Sequence, residues 1–236
     1  MMVKRFMSEI LQSFDCLESG VYRTKRAFQK NARIQELSFY CKRLSTPQIG
    51  FVLNTATSIL EEDECYLNIG VWEGYSFLAA SIDNQPKNVV GVDNFSEMNN
   101  GKGAEVNNYT RKYGPTRANF YLAYDAFKSH GMQFFEKDWV EFLQNFDHFL
   151  EGKKIGAVFY DANHTREAHR KFFDLVLPHL SDQCVIFVDD LRYDFVLQTS
   201  SDFLARNPDF TTLFQVEVDK PRHPAWWAGF QALARF

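Results

Sequence analysis

The sequence predicts an α/β fold in which helices cover both faces of a doubly wound sheet, and three observations lead to it. Short apolar segments alternate with helical patterns from residue 65 to residue 206, which is the order typical of a mostly parallel sheet. Several of these segments are apolar at nearly every position, as strands buried on both faces are. The last two segments follow each other without a helix between them, which predicts a terminal antiparallel pair. The expected sheet therefore has seven strands.

Residues 1–45 predict a helical extension in front of the sheet domain. Apolar residues recur there at helical spacing in two runs, which are Phe6, Ile10, Leu11, Phe14 and Leu17, then Ile34, Leu37, Tyr40, Cys41 and Leu44. The extension carries nine Lys or Arg residues against four Asp or Glu, whereas the remainder carries 17 against 26. A solvated helical face and a surface that docks on an acidic partner both explain this basic charge.

The sheet domain is predicted to cover residues 46–236, because Thr46-Pro47 interrupts the helical pattern. A helix over 49–60 precedes the first strand, a helix over 77–82 follows it, and another over 193–206 follows the fifth strand. The predicted strands are Cys65–Ile69, Val89–Val92, Gln133–Phe135, Ile155–Tyr160, Cys184–Val188, Thr211–Val218 and Trp226–Ala234.

A long polar connection is predicted between Asn94 and Gly131, with Asn- and Gly-rich sequence at 99–103 and 111–115. Loops at the carboxyl ends of parallel strands form the ligand crevice of a doubly wound sheet. The connection is therefore either a cover over a substrate or an ordinary crossover from a strand to a helix.

Composition and charge exclude several classes of protein. The formal charge of −4 argues against general nucleic-acid binding, which needs a surplus of Lys and Arg. No segment has the roughly 20 consecutive apolar residues of a membrane span, and residues 1–7 lack the apolar segment of a secretion signal. We therefore expect a cytoplasmic protein without membrane contact. The four cysteines have no CxxC spacing, so buried free thiols are expected rather than a zinc site or disulfides.

A glycine turn at the end of the first strand is the most informative motif. Gly70 permits a tight turn after the strand, and Gly74 allows a ligand to approach the backbone at the start of the helix. Asp93 ends the next strand, 23 residues beyond Gly70, where an acidic residue commonly accepts hydrogen bonds from a ribose. A tight turn without a ligand and a turn or N-cap aspartate remain the alternatives.

The glycine turn, the segment 91–96 and the segment 160–164 together resemble class I S-adenosylmethionine-dependent methyltransferases, in particular the methyltransferase-24 type group. The resemblance covers residues 64–236 and implies a Rossmann-like fold with S-adenosylmethionine as the cofactor. It implies methyl transfer to a small molecule or a glycan-like metabolite, with oxygen as the accepting atom. The cofactor-binding residues that it implies are Asn68, Gly70, Gly74, Ser76, Asp93 and Asp138. Asn68 replaces a residue that is often acidic in the group, and Asp138 stands where relatives hold the adenine amino group.

The resemblance also implies an acceptor site after the fourth and fifth strands. In related O-methyltransferases an aspartate after strand four and a pair after strand five hold a divalent cation, and Asp161, Asp189 and Asp190 match these positions. Hard oxygen ligands suit Mg²⁺, although turn formation or hydrogen bonding to the substrate also explains the pair. Ala162 and Asn163, which precede His164, depart from the usual pattern of the group. Whether this site binds a metal ion is therefore left open.

A proton acceptor is needed if the methyl group goes to a hydroxyl. His164 suits this role because its ordinary pKa lies near neutrality, and Asp161 is the alternative. His223, Trp226 and Trp227 are candidates for the wall of the acceptor pocket, although tryptophans near a terminal strand are more often core residues.

Two other classes of function compete with a methyltransferase. A non-catalytic Rossmann-like module that binds a nucleoside would show binding without turnover. A dinucleotide-dependent oxidoreductase is disfavoured because the turn lacks the GxGxxG arrangement that holds a pyrophosphate. The expected partner is a small-molecule methyl acceptor rather than nucleic acid or a membrane, and homo-oligomerisation stays open.

Overall fold

The computed structural model describes residues 8–9, 25–95, 116–220 and 222–236. The predicted first helix and the Asn- and Gly-rich segments 99–103 and 111–115 lie outside these residues, as does Cys16. No helix within the described ranges has the length and apolar composition that a bilayer crossing requires.

Within the described residues, seven strands form one sheet, as the alternating pattern predicts. They are β1 Glu64–Ile69, β2 Asn88–Val92, β3 Met132–Phe135, β4 Lys154–Tyr160, β5 Leu180–Asp189, β6 Phe210–Val216 and β7 Phe230–Arg235. Their order is β3-β2-β1-β4-β5-β7-β6, with parallel pairing from β3 to β5 and antiparallel pairing of β7 with both β5 and β6. The chain winds outward in opposite directions from β1 and β4, so the crevice between their carboxyl ends is the switch point where doubly wound sheets bind ligands.

Helices cover both faces of the sheet. They are α1 Lys25–Glu36, α2 Pro47–Ser58, α3 Tyr75–Ser81, α4 Thr116–Phe127, α5 Trp139–Gln144, α6 Phe146–Phe149, α7 Arg166–Val176 and α8 Asp194–Arg206, with 3-10 helices at Leu37–Phe39 and Leu177–His179. Successive β1 side chains alternate between the faces, so Tyr66 packs with α1 to α4 and Leu67 packs with α5 to α8. Burial on both faces explains the continuously apolar strands and confirms the predicted doubly wound fold.

The described part of the N-terminal extension packs on the sheet domain. Ile34, Leu37 and Cys41 lie in the same buried cluster as α2 and α3. Cys41, Cys65 and Cys184 are buried free thiols, and burial raises the pKa of each to about 12. The interpretation of the cysteines is confirmed for these three, while the domain boundary after residue 45 stays a prediction.

The helical pattern proposed up to Leu44 is wrong beyond α1. After Glu36 the chain makes a 3-10 turn at Leu37–Phe39 and then leaves helical conformation, because it must turn toward α2. Thr46 accepts a hydrogen bond from the Ile49 N–H at 3.3 Å, and Pro47 occupies the first turn of α2. Thr46-Pro47 therefore starts a helix as N-cap and first residue.

The last strand begins later than predicted, at Phe230 rather than Trp226. His223 and Trp227 exchange two backbone hydrogen bonds of 2.8 and 3.0 Å, and Trp227 has a φ of +47°. This tight turn prevents Trp226 and Trp227 from joining the β7 ladder. Trp226 is buried and its ring stacks near Phe230, which confirms the core interpretation for that tryptophan.

The polar connection proposed between Asn94 and Gly131 contains a helix. Phe120 and Ala123 are buried, and the Phe120 ring centroid lies 4.3 Å from that of Phe134 on β3. These apolar residues face the sheet between polar residues that face solvent, which hid the helical spacing. The described part of the connection is therefore helical over Thr116–Phe127, while its role as a cover or as an ordinary crossover stays a prediction.

Candidate functional site

The glycine turn joins β1 to α3 and lies against the end of β4. Gly70 has a φ of +82°, and a Cβ at this position would stand 1.9 Å from the backbone carbonyl oxygen of Asp161. Gly74 has a φ of +100° immediately before α3. Both positions require glycine, because other residues disfavour this left-handed region. The turn therefore touches the first residue of the predicted acceptor site.

Asp93 holds the glycine turn in place from the end of β2. Its Oδ2 accepts hydrogen bonds from the N–H groups of Val71 and Trp72 at 2.8 and 2.9 Å, and its Oδ1 accepts one from Phe95 at 2.6 Å. Burial raises the pKa of Asp93, against the opposing effect of these three N–H groups. A carboxylate has about four acceptor positions, so one remains for a ligand.

Asn68 and Ser76 flank the same turn from inside the protein. The fully buried Asn68 donates from Nδ2 to the Gly70 carbonyl at 2.8 Å and accepts at Oδ1 from the Tyr66 hydroxyl at 3.1 Å. Ser76 lies buried in the first turn of α3. The Asn68 side chain thus holds the Gly70 carbonyl from the buried side of the turn.

An open cleft with about 360 Å³ of unfilled space lies beside the turn. Its walls are Gly70, Val92, Asp93, Asn94, Lys137, Asp138, Trp139, Ala162 and Asn163. Four parallel strands, β1 to β4, end at this cleft, and it adjoins the switch point of the sheet. The predicted residues Gly70, Asp93 and Asp138 are thereby brought to one crevice.

The start of α5 forms the far wall of the cleft. Asp138 caps this helix, since its Oδ1 accepts from the N–H groups of Val140 and Glu141 at 2.9 and 3.3 Å. Its Oδ2 accepts from Asn94 at 3.3 Å. Trp139 places its indole in the wall and donates from Nε1 to the Asn163 side chain at 3.0 Å. The sequence interpretation missed Trp139, although an aromatic residue directly after Asp138 was a usable signal.

A second group of polar side chains gathers where β4 and β5 end. Asp161, His164 and Asp190 each offer one ligand atom, and these three atoms lie within 4.8 Å of one another. His164 Nδ1 lies 2.8 Å from Asp190 Oδ2. Asp190 has a φ of +62°, a strained conformation for a residue with a Cβ, and such strain is common at functional sites. We call these three residues the acceptor cluster.

Asp189 lies beneath the acceptor cluster rather than within it. The residue is 3% exposed, and its Oδ1 accepts a hydrogen bond from the Asp190 N–H at 2.8 Å. Burial raises the pKa of Asp189 well above its ordinary value, and the charges of Asp161 and Asp190 raise it further. Of the three aspartates predicted to hold a metal, two therefore meet, and His164 takes the third place in the cluster.

The turn before β7 adjoins the acceptor cluster. Arg192 lies two residues after Asp190, with its Nε 3.8 Å from Asp190 Oδ1, and its N–H donates to the Ala228 carbonyl at 3.1 Å. His223 is exposed and accepts at Nδ1 from the N–H groups of Ala225 and Trp226. This turn thus packs on the residue 190–193 loop, where Trp227 is half-buried.

Glu73 is a buried acid that the sequence interpretation missed. It lies in the glycine turn with 1% exposure. Its Oε2 accepts from the Lys42 N–H at 2.8 Å, and its Oε1 accepts from the Asn119 side chain at 2.9 Å. These partners are 31 and 46 residues away, so no local pattern could have indicated them. The turn is therefore tied to the N-terminal extension and to α4.

Solved structures similar to this chain cover nearly all of it at low identity. An O-methyltransferase from Bacillus cereus in complex with SAH has a TM-score of 0.56 and 14% identity, covering 94% of this chain and 96% of that chain. The O-methyltransferase TomG from Streptomyces achromogenes, involved in tomaymycin synthesis and in complex with SAM, has a TM-score of 0.54 and 18% identity, covering 93% of each chain. SAH-bound methyltransferase PaMTH1 from Podospora anserina has a TM-score of 0.53 and 13% identity, covering 90% and 88%. These similarities show the fold.

A search of curated proteins found no match. The family model described as a methyltransferase domain matches residues 67–191. That span begins in β1, contains the glycine turn and Asp93, and ends just after Asp190, so it includes both the cleft and the acceptor cluster. The predicted family is thereby confirmed, and this chain belongs to the methyltransferase domain family.

Proposed function

We propose that this protein transfers the methyl group of S-adenosylmethionine to an oxygen nucleophile of a small molecule or a glycan-like metabolite. One observation carries the proposal, which is the contact between the cleft and the acceptor cluster. The Asp161 carbonyl would collide with any Cβ at Gly70, and the Asp161 N–H donates to the Ile69 carbonyl at 2.9 Å. A ligand seated at the turn therefore lies next to the side chains that would receive an acceptor.

The cleft suits the adenosine part of the cofactor. Asp93 has one acceptor position left for a ribose hydroxyl, and it is oriented by the three N–H groups that it already binds. The exposed Asp138 carboxylate can accept from the adenine amino group, and the Trp139 indole supplies an apolar wall. We assign the methionine part to the turn bounded by Asn68, Gly70, Gly74 and Ser76.

The acceptor cluster supplies proton removal in this proposal. The Asp190 carboxylate orients the His164 ring through Nδ1, and we assign to the other ring nitrogen the role of accepting a proton from a hydroxyl. Asp161 is the second candidate for that role. The sulfonium of the cofactor supplies an electrophilic methyl group, so the remaining task of the protein is to align and deprotonate the acceptor.

The oxygen ligands expected for Mg²⁺ are partly in place. Asp161 and Asp190 present carboxylates to one point, whereas Asp189 binds the Asp190 N–H and is buried. A bound cation would lower the pKa of an acceptor hydroxyl. The description of two similar structures as O-methyltransferases supports oxygen as the accepting atom.

Calorimetric titration with S-adenosylmethionine and S-adenosylhomocysteine tests the cofactor, and a screen of hydroxylated small molecules tests the reaction. Saturable binding at one site is expected, followed by release of S-adenosylhomocysteine with at least one class of acceptor. An Asp182→Asn variant, changed at an exposed carboxylate of β5 far from Asp189, serves as the control. Absence of binding would overturn the proposal, and binding without turnover across the screen would favour a non-catalytic nucleoside-binding module.

A further inference from the structure

Three side chains of the acceptor cluster have the arrangement of a small cation site. Their ligand atoms come from the end of β4, the loop after it and the residue after β5, and all lie within 4.8 Å of one another. First-row metal ions hold nitrogen and carboxylate oxygen ligands at about 2.0–2.2 Å. Ligands around one ion are therefore separated by roughly 3–4 Å, so small side-chain rotations bring all three onto an ion.

The third ligand of this arrangement is a nitrogen atom, not the carboxylate that family resemblance implied. Asp189 is buried, and its Oδ1 is engaged by the Asp190 N–H. His164 instead lies 2.8 Å from Asp190 and has a side chain that is 43% exposed. The buried Asp189 carboxylate therefore holds the backbone of Asp190, while the exposed His164 ring lies beside the Asp190 carboxylate.

A nitrogen ligand changes which ion the site prefers. Mg²⁺ favours an octahedron of oxygen atoms and keeps several waters, whereas imidazole with carboxylates suits Mn²⁺, Co²⁺ or Zn²⁺. Among divalent first-row ions, affinity for such a site rises from Mn²⁺ to Co²⁺. Two carboxylates and an imidazole thus meet at this point, and the Arg192 side chain lies 3.8 Å from Asp190.

We propose that Asp161, His164 and Asp190 bind a divalent transition-metal ion through one nitrogen and two oxygen atoms, in preference to Mg²⁺. The inference rests on the proposed function, because it assigns the ion to the acceptor side of that site. A neutral imidazole has one lone pair, so His164 cannot hold an ion and accept a proton at once. The proton-accepting role of His164 therefore applies to the enzyme without the ion.

The test is calorimetric titration of EDTA-treated protein with Co²⁺ and with Mg²⁺, together with the visible absorption of bound Co²⁺. Co²⁺ is expected to bind at least about tenfold more tightly than Mg²⁺. The His164→Ala change should weaken Co²⁺ binding by about 10- to 100-fold and change Mg²⁺ binding by less than about threefold. Asp190→Asn should weaken the binding of both ions.

The control is His148→Ala, which removes an exposed histidine on α6 and should leave Co²⁺ binding unchanged. Equal affinity for the two ions, or unchanged Co²⁺ affinity in His164→Ala, would overturn the inference. Parallel titration with S-adenosylhomocysteine separates this result from the proposed function. Binding of S-adenosylhomocysteine without binding of Co²⁺ would overturn the metal inference alone. Binding of Co²⁺ without binding of S-adenosylhomocysteine would support the ion site and overturn the proposed function.

Discussion

The cofactor cleft and the acceptor cluster are neighbours, yet their polar groups are used in different ways. In the cleft, backbone N–H groups donate hydrogen bonds to the acidic side chains. Asp93 accepts three such bonds and Asp138 accepts two. In the acceptor cluster, carboxylates lie close to each other and to a histidine. Asp189 adds a further acid below, and burial raises its pKa well above the ordinary value.

This difference indicates two kinds of ligand. Carboxylates held by backbone N–H groups are preorganised and keep few free acceptor positions, which suits a neutral hydroxyl or amino group of a ligand. Like charges held close together cost free energy until a proton or a cation joins them. We therefore expect the cleft to recognise a neutral part of a ligand and the acceptor cluster to take up positive charge.

The largest effect is expected from Asp161→Asn, which neutralises one carboxylate of the acceptor cluster and keeps its shape. Turnover should fall by about 10³-fold, within the range for removing a group that acts on a proton or positions the acceptor. The affinity for S-adenosylhomocysteine, measured by calorimetry, should stay within about twofold, since the side chain belongs to the acceptor side. Turnover close to wild type would break the comparison, because Asp161 would then have no role in the chemistry.

Neighbouring strand ends made part of this site predictable from sequence. Asp161 follows β4 and Asp190 follows β5, and adjacent parallel strands bring their carboxyl ends to one edge. The pairing of His164 with Asp190 was not predictable, because it depends on the path of the loop and on the left-handed conformation of Asp190. Strand positions followed from burial on both faces, whereas the start of β7 depended on a turn closed by His223 and Trp227.

Asp93→Asn probes the cofactor side, where an amide cannot replace the carboxylate. One oxygen would become an N–H₂ group that faces the N–H donors of Val71 and Trp72, or the donor of Phe95. Loss of charge-assisted hydrogen bonds should lower the free energy of unfolding by about 3 kcal/mol and weaken S-adenosylhomocysteine binding by about 100-fold. Urea denaturation and calorimetry measure the two effects. Wild-type cofactor affinity in a destabilised protein would show that Asp93 serves the turn and not the ribose.

His169→Phe tests the effect of a buried histidine on the pH dependence of stability. Burial lowers the pKa of His169 to about 4, with a smaller contribution from the charge of His164, while the charge of Asp190 acts in the opposite direction. The folded state therefore favours the neutral ring. Stability is complete above the unfolded pKa of about 6.5 and is lost as the pH falls from there toward 4.

At pH 5 this linkage should destabilise the wild-type protein by about 2 kcal/mol relative to pH 7.5. Phenylalanine should remove most of that loss, because it fits the aromatic contacts with Tyr160 and Phe195 and has no group that titrates. Denaturant unfolding at the two pH values measures the difference. An acid sensitivity that stays the same in the variant would place the responsible groups elsewhere, among them the exposed carboxylates.

The smallest expected effect is that of Trp139→Phe in the wall of the cleft. Phenylalanine keeps an aromatic wall but removes the indole N–H that binds Asn163 at 3.0 Å, a bond worth about 1 kcal/mol. Binding of S-adenosylhomocysteine should weaken by about fivefold, in line with that energy, while Co²⁺ binding at the acceptor cluster should not change. Trp226→Phe is the matched control, because Trp226 lies in the core near β7 and should affect unfolding without affecting cofactor affinity. If Trp139→Phe weakened Co²⁺ binding as well, the cleft and the cluster would be coupled through Asn163, and they would have to be treated as one site.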